Sequence, residues 1–245
     1  MIGKSKKRTV SDYELITNTS PKSAMAEAYR TLRTNLGFAS MDQPCRSILV
    51  SSSNPLDGKS TIISNLAVVM AQAGNKVILV DCDLRKPVQH KIFKVDNIRG
   101  VTNCIMQKLD VEQVAHKGLI ENLTVLTSGP IPPNPAEILS SERTRSLWKT
   151  LLEKYDYVFI DAPPVLAVTD ASILSTQVDG VILVVRSAIT RKDLAREAKD
   201  QFAKANARLI GVVLNQVKMD ANDYYQYYYY YSHDSEPSTN RFSFK

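Results

Sequence analysis

The stretch SILVSSSNPLDGKST, residues 47–61, decides the fold. Its first six residues, SILVSS (47–52), form a short apolar run of the kind that makes a buried strand. Residues 53–60 then read S-x-x-x-x-G-K-S, the spacing of a phosphate-binding loop with Ser53 in place of the usual first glycine. A helix is expected to open directly after it, over about 59–73. In a strand–loop–helix of this kind, backbone N–H groups and the positive helix end cradle phosphate oxygens. The candidate nucleotide-binding residues are therefore Ser53, Asp57, Gly58, Lys59, Ser60 and Thr61. Lys59 can reach β and γ oxygens, and the Ser60 hydroxyl can ligate Mg²⁺. A chance Gly-Lys-Ser turn is the competing reading, and the strand before it and helix after it argue against that. Ser53 can serve in the turn provided its φ is negative.

Working outward, apolar runs alternate with helix-like segments. KVILVD (76–81), LTVLTSG (123–129), YVFIDAPP (157–164), GVILVVRS (180–187) and RLIGVVLNQV (208–217) read as strands. SAMAEAYRTLRTNL (23–36), RTRSLWKTLLEKY (143–155) and the charged segment at about 191–205 read as helices. Val/Ile/Leu strands without polar alternation, separated by helices, predict an α/β fold: a doubly wound, mostly parallel sheet covered on both faces. Three regions follow: a polar arm over 1–20, one α/β domain over 21–217, and a tail over 218–245 poor in aliphatic residues.

Composition narrows the function classes. The 245 residues are 44% hydrophobic and carry a net charge of +6, part of it in KSKKR at 4–8. That suits an anionic partner or simply a basic arm. No basic–aromatic interleaving marks a nucleic-acid binder, so none is expected as a partner. Cys45, Cys82 and Cys104 lack CxxC spacing, which argues against a zinc site or disulfide framework and suits a reducing cytoplasm. No apolar stretch follows the basic start, and the apolar runs are too short to span a bilayer.

Three carboxylates accompany the loop. VILVDCDLRKP closes a strand with Asp81 and Asp83, and VFIDAPP closes another with Asp161. Ligands collect at the carboxyl ends of parallel strands. Two acids so close raise each other's pKa, and a divalent cation relieves that repulsion with oxygen ligands. Ser60, Asp81, Asp83 and Asp161 are the candidate magnesium ligands. Either Asp81 or Asp83 alone also reads as a helix N-cap before LRKP. Asn215, ending GVVLN, is either an adenine contact or a strand-terminating turn.

The last signal is NDYYQYYYYYSHD, 222–234, with seven tyrosines in eight positions: Tyr224, Tyr225, Tyr227, Tyr228, Tyr229, Tyr230 and Tyr231. Adjacent tyrosines in a strand point to opposite faces and no aliphatic face accompanies them, so a core role fits poorly. The alternatives are an edge strand or filler, or phenol acceptors on a flexible tether, whose local concentration would be high.

Taken together, SSNPLDGKS, ILVDCDLRKP, VFIDAPP and the tyrosine cluster resemble the Walker A, Walker A′, Walker B and C-terminal elements of the bacterial protein-tyrosine kinases. The resemblance spans about 20–231 and is close to the cytosolic autokinases that control capsule and exopolysaccharide synthesis in Gram-positive bacteria. It implies a P-loop NTPase fold of the MinD/ParA-like branch, ATP and Mg²⁺ as cofactors, and tyrosine as acceptor, with the tail phosphorylated in trans. By position it implies Lys59, Asp81, Asp83 and Asp161 as catalytic residues. Asp81 is the candidate base, with Asp83 able to exchange roles with it. Arg85 could neutralise transition-state charge. The resemblance also implies a ring-like homo-oligomer built through the Glu27, Arg30, Arg33 helix, a motif whose bland reading is a solvated face. Further implied partners are a transmembrane activator of the polysaccharide chain-length control type that recruits the chain to the inner face of the membrane, protein substrates, and a counteracting tyrosine phosphatase. The alternative is a MinD/ParA-like switch ATPase. It needs a signature lysine where this chain has Asn54.

Overall fold

The computed structural model describes residues 14–41 and 43–218. The tyrosine cluster and the basic KSKKR segment lie outside the described residues. In chain order the elements are α1 (Ile16–Thr19), α2 (Ala24–Ala39), β1 (Ser47–Ser52), α3 (Lys59–Gln72), β2 (Val77–Asp81), α4 (Gln89–Ile92), α5 (Val101–Gln107), α6 (Val111–Val114) and β3 (His116–Ile120). They continue with β4 (Leu123–Leu126), α7 (Pro135–Ser140), α8 (Glu142–Lys154), β5 (Tyr157–Asp161), α9 (Asp170–Ser175), β6 (Gly180–Arg186), α10 (Lys192–Lys204) and β7 (Leu209–Asn215).

Seven strands form one sheet in the order β3-β4-β2-β5-β1-β6-β7. All neighbours are parallel except β3 against β4. Each central strand is apolar on both faces because each face has its own helical layer. Ile48, Val50, Leu79 and Phe159 pack with Ile63 and Leu66 of α3 on one side. Leu49, Ile78, Val80, Val158 and Ile160 pack with Trp148, Leu151 and Phe202 on the other. Helix α3 is the innermost helix: its residues from Ile62 to Ala71 are all buried, because α1 and α2 cover its outer side.

The expected strands and longer helices form within a few residues of their predicted bounds. Besides the short helices α4–α7 and α9, which the sequence reading did not name, two features differ. Residues 14–20 were expected in the polar arm, yet α1 is packed on α3: the Thr17 N–H and Oγ1 donate to Asn65 Oδ1 at 3.1 and 2.9 Å. A polar segment is held here by buried hydrogen bonds rather than by an apolar stripe, which leaves no periodicity to read. The second difference is β3, an antiparallel edge strand with no buried residue and a register shift, which the sequence reading omitted.

Cys45, Cys82 and Cys104 are unpaired and buried. Burial pushes the Cys45 and Cys104 thiols up to about 11, and Cys82 is also raised well above the ordinary range by burial and the nearby acids. Among the described residues no helix is long and apolar enough to cross a membrane.

Candidate active site

The strand order places β2, β5 and β1 side by side, so their carboxyl ends meet. Asp161 is in register with Asp81 on one side and with Val50 of β1 on the other. The phosphate loop leaves β1 two residues later. This geometry follows from the parallel register and is why Asp81 and Asp161, 80 residues apart in the chain, share one site with Asp83.

Within the loop, Ser53 does have negative φ, while Leu56 and Gly58 take positive values of 71° and 95°. Side-chain bonds hold these turns. Asp57 Oδ2 accepts from the Asn54 N–H at 2.9 Å, and its Oδ1 accepts from Thr190 Oγ1 at 2.8 Å. Asn215 donates its Nδ2 to the Asp57 carbonyl at 2.8 Å and lies so close to Gly58 that a Cβ there would sit 2.1 Å from it. Asn215 therefore braces the loop in this structure. Ser53 Oγ is buried and finds no hydrogen-bond partner among the described residues, a spare polar atom that suits a phosphate-binding loop.

Lys59 Nζ lies at the centre of the site, 3.0 Å from Asp83 Oδ2, 3.1 Å from Asp161 Oδ1 and 3.2 Å from Ser60 Oγ. Burial works against its charge, but Asp161 and Asp83 outweigh that and hold its pKa above the ordinary lysine range. Asp81 is turned differently. Its Oδ2 accepts from the Val88 and Gln89 amides at 3.0 and 2.9 Å, and its Oδ1 takes one longer bond of 3.2 Å from the Asp83 amide. No helix opens at LRKP, since α4 starts at Gln89 with Val88 as its N-cap, so neither acid is a helix N-cap and the Asp81 bonds instead close the 83–89 loop. Asp83 also accepts from the Lys86 amide at 3.0 Å with Oδ1, leaving Oδ2 for Lys59.

Sequence reasoning missed Gln89. Fully buried, it donates its Nε2 to Asp161 Oδ2 at 2.8 Å and accepts from Ser64 Oγ at 2.7 Å. It thus ties Asp161, Asp81 and α3 into one network. Nothing in KPVQH marks it, because its partners lie far away in the chain.

Three buried carboxylates face one ammonium. Burial, and then the charge of Asp161, raise the pKa of Asp81 above the carboxylate range. Hard oxygen donors and surplus negative charge fit Mg²⁺. Among the described residues no three acid, His or Cys side chains form a ready-made cage. Mg²⁺ does not need one, since it keeps waters and phosphate oxygens as ligands.

A raised carboxylate pKa means the native state holds a proton that the unfolded chain releases. The associated stability is full below the ordinary carboxylate pKa of about 4 and is lost as pH rises toward the raised native value. Asparagine mimics the protonated acid. In metal-free buffer, the melting temperature of Asp81→Asn relative to the native chain is therefore expected to climb as pH rises above about 4. A gap that stays constant with pH removes the charge from this account.

A cleft of about 350 Å³ opens beside the loop. Gly58, Lys59, Ser60 and Thr61 form its polar floor, Asp83, Arg85 and Lys86 one charged side, and Pro163, Pro164 and Val168 an apolar wall. Asp81 and Asp161 lie behind the floor at 0% exposure, while Asp83 borders the cleft. Arg85 is clamped: its Nε and Nη2 donate to the two oxygens of Asp170, both at 2.9 Å. On α2, Arg30 bonds Glu27 at 2.7 Å and the Pro21 carbonyl at 2.6 Å. Arg33 instead reaches the Val69 carbonyl of α3 at 3.1 Å.

Comparison with known proteins agrees with this geometry. Residues 45–193 match the AAA domain family described as AAA_31. Tyrosine-protein kinase YwqD of Bacillus subtilis is 45% identical over 213 residues, covering 87% of this chain and 90% of the relative. The solved structure of the chimerical protein CapA2B2 superposes with a TM-score of 0.81 at 43% identity, covering 84% of this chain and 90% of that one. The septum site-determining protein MinD of Pyrococcus horikoshii, solved with Mg-ADP, shares the fold at a TM-score of 0.60 and 22% identity, over 74% of this chain and 76% of that one.

Proposed function

This chain belongs to the bacterial tyrosine-protein kinases, and on that premise we propose that it phosphorylates its own tyrosine cluster, Tyr224–Tyr231, in trans and thereby regulates capsule or exopolysaccharide synthesis. The kinase fold is a P-loop NTPase fold and the chain binds nucleotide. The observation that carries the reading is the Lys59 ammonium held between Asp83 and Asp161 at the floor of a cleft that has an apolar wall. A phosphate grip next to an apolar wall suits a nucleotide meeting a phenol.

In this mechanism the phenol oxygen of an incoming tyrosine forms the new bond to the γ-phosphorus. The bond to the β,γ-bridging oxygen breaks, and ADP leaves with that electron pair. Phosphoryl transfer asks the protein mainly for positioning and charge stabilisation. The loop amides and Lys59 hold the phosphates. Ser60, Asp83 and Asp161 would hold Mg²⁺, which neutralises charge on the transferring group. Asp81 in its ionised form accepts the phenol proton, since Oδ1 retains a lone pair beyond its one long bond. Asp83 is the alternative base, favoured by its place on the cleft rim. An acidic limb in the pH–rate profile that survives in Asp83→Asn and vanishes in Asp81→Asn selects Asp81. The reverse pattern selects Asp83.

The domain plan completes the reading: a basic N-terminal arm, a kinase domain whose packed part begins at α1, and a tyrosine-bearing tail. The activator, a membrane protein of the polysaccharide chain-length control type, recruits the chain to the inner face of the membrane, and a phosphatase resets it. Self-association runs through α2, where Arg30 is half-exposed and bonded only locally. Arg33 is already engaged by α3, so Arg30→Glu is the cleaner probe. Reversal at Arg30 is expected to shift the chain to monomer on size exclusion. Assembly that survives makes this helix a solvated face.

The deciding experiment is intact-mass spectrometry after incubation with Mg·ATP, with and without an activator's cytosolic segment. Stepwise phosphate addition mapping to 224–231, lost in a tail-deleted chain, is the expected result. ATP hydrolysis without mass gain under either condition would point to a switch ATPase instead.

A further inference from the structure

Among the described residues, Asp170 is the one fully buried carboxylate near the cleft that the mechanism above leaves unused. It is the first residue of α9, after the loop leaving β5. Both its oxygens are taken by Arg85, from the loop leaving β2, in a two-bond fork at 2.9 Å each. The pair is asymmetric: the Asp170 side chain is 0% exposed, whereas the Arg85 side chain is 40% exposed and lines the cleft beside Lys59, Ser60 and Asp83. One end of the fork is fixed in the protein and the other is presented at the site.

From this asymmetry we infer that Asp170 is a positioning residue, which holds Arg85 so that its free N–H edge faces the phosphoryl group in transfer. The inference rests on the cleft being the transfer site. The fork uses Nε–H and one Nη2–H, so three N–H bonds remain on the outer edge of the guanidinium. Among the described residues, Nη1 donates to no protein acceptor. A guanidinium on a long side chain loses much rotamer freedom when it grips a substrate, and a bidentate carboxylate removes that freedom beforehand. The carboxylate also balances the charge of Arg85 at rest without occupying its outward edge. Lysine cannot form the fork, so the inference separates charge from geometry.

The test uses the full chain in four forms: native, Asp170→Asn, Arg85→Lys, and Arg85→Lys combined with Asp170→Asn. Tyrosine phosphorylation gives kcat and the KM for ATP, and ADP titration gives Kd. In both single variants kcat is expected to fall about 10- to 100-fold, the range for losing oriented charge stabilisation at a transferring group. The Kd for ADP stays within about threefold, since ADP lacks the transferring group. The double variant is no slower than about the slower single, because the two residues act as one unit. Native-like kcat in Asp170→Asn overturns the inference, as does a double variant whose loss is the product of the single losses. If Asp170→Asn does not fold, Arg85→Lys decides, since it keeps the charge and leaves Asp170 a cation: a native rate there rules out a need for the fork. Absence of tyrosine transfer by the native chain, with ADP still bound, would instead count against the cleft as the transfer site.

Discussion

Replacing Lys59 with methionine lowers tyrosine phosphorylation by at least about 100-fold, the scale on which one oriented donor to developing charge acts. Here the loss has a second component. Lys59 is the cation between Asp83 and Asp161, and Asp81 lies behind them. Methionine keeps the length and removes the charge, leaving buried carboxylates without their counter-ion. Breaking a buried pair on one side costs about 3–5 kcal/mol. Lys59 is one of the charges that hold the Asp81 pKa down, so its loss raises Asp81 further, and this cost shrinks at low pH and grows as pH rises toward that raised value. Melting curves of Lys59→Met in metal-free buffer should lie closer to the native chain at pH 5 than at pH 8. Mg²⁺ should restore part of the difference at pH 8 but not the activity. A variant with the native melting curve at both pH values and lost activity would leave Lys59 a purely catalytic role.

Asp161→Asn is expected to cost a similar factor, about 100-fold or more in kcat, with a higher Mg²⁺ requirement. Asp161 sits in register with Asp81, accepts from Lys59 on one oxygen and from Gln89 on the other. An asparagine has one acceptor and one donor there, so its amide must oppose either the ammonium or the Gln89 amide. The substitution also carries a signature in pH. Asp161 is one cause of the raised pKa of Asp81. With that charge gone the pKa of Asp81 drops toward the ordinary carboxylate range, so the acidic limb of residual activity moves to lower pH. A residual rate whose limb does not move separates Asp161 from the base. An unchanged Mg²⁺ requirement separates it from the metal.

The parts of the fold that the sequence revealed are those with local signals. SILVSS, KVILVD and YVFID announce themselves as doubly buried strands, and G-K-S after a strand announces a phosphate loop. Asp81 and Asp161 were placed together because parallel strands share a carboxyl edge, an inference from topology alone. What stayed hidden depends on partners distant in sequence. Gln89 looks like any polar residue until β5 and α3 surround it. Asp170 is unremarkable in LAVTDAS until Arg85, 85 positions earlier, closes on it. Asn215 could be read as a nucleobase contact or a turn, and in the structure its amide grips the loop beside Gly58. Helices of four to seven residues such as α1, α4 and α5 are too short for a 3.6-residue period to register. They are held by hydrogen bonds such as that between Thr17 and Asn65.

The three buried thiols have a practical consequence. Because Cys45, Cys82 and Cys104 are shielded and remain protonated far above neutral pH, maleimide dyes at pH 7 meet almost no competing thiolate on the folded domain. A single surface cysteine, for example Lys199→Cys on the exposed side of α10, would then carry a fluorophore selectively without first stripping the native cysteines. Encounters between copies of the chain could thus be followed by energy transfer in a protein whose core is left untouched.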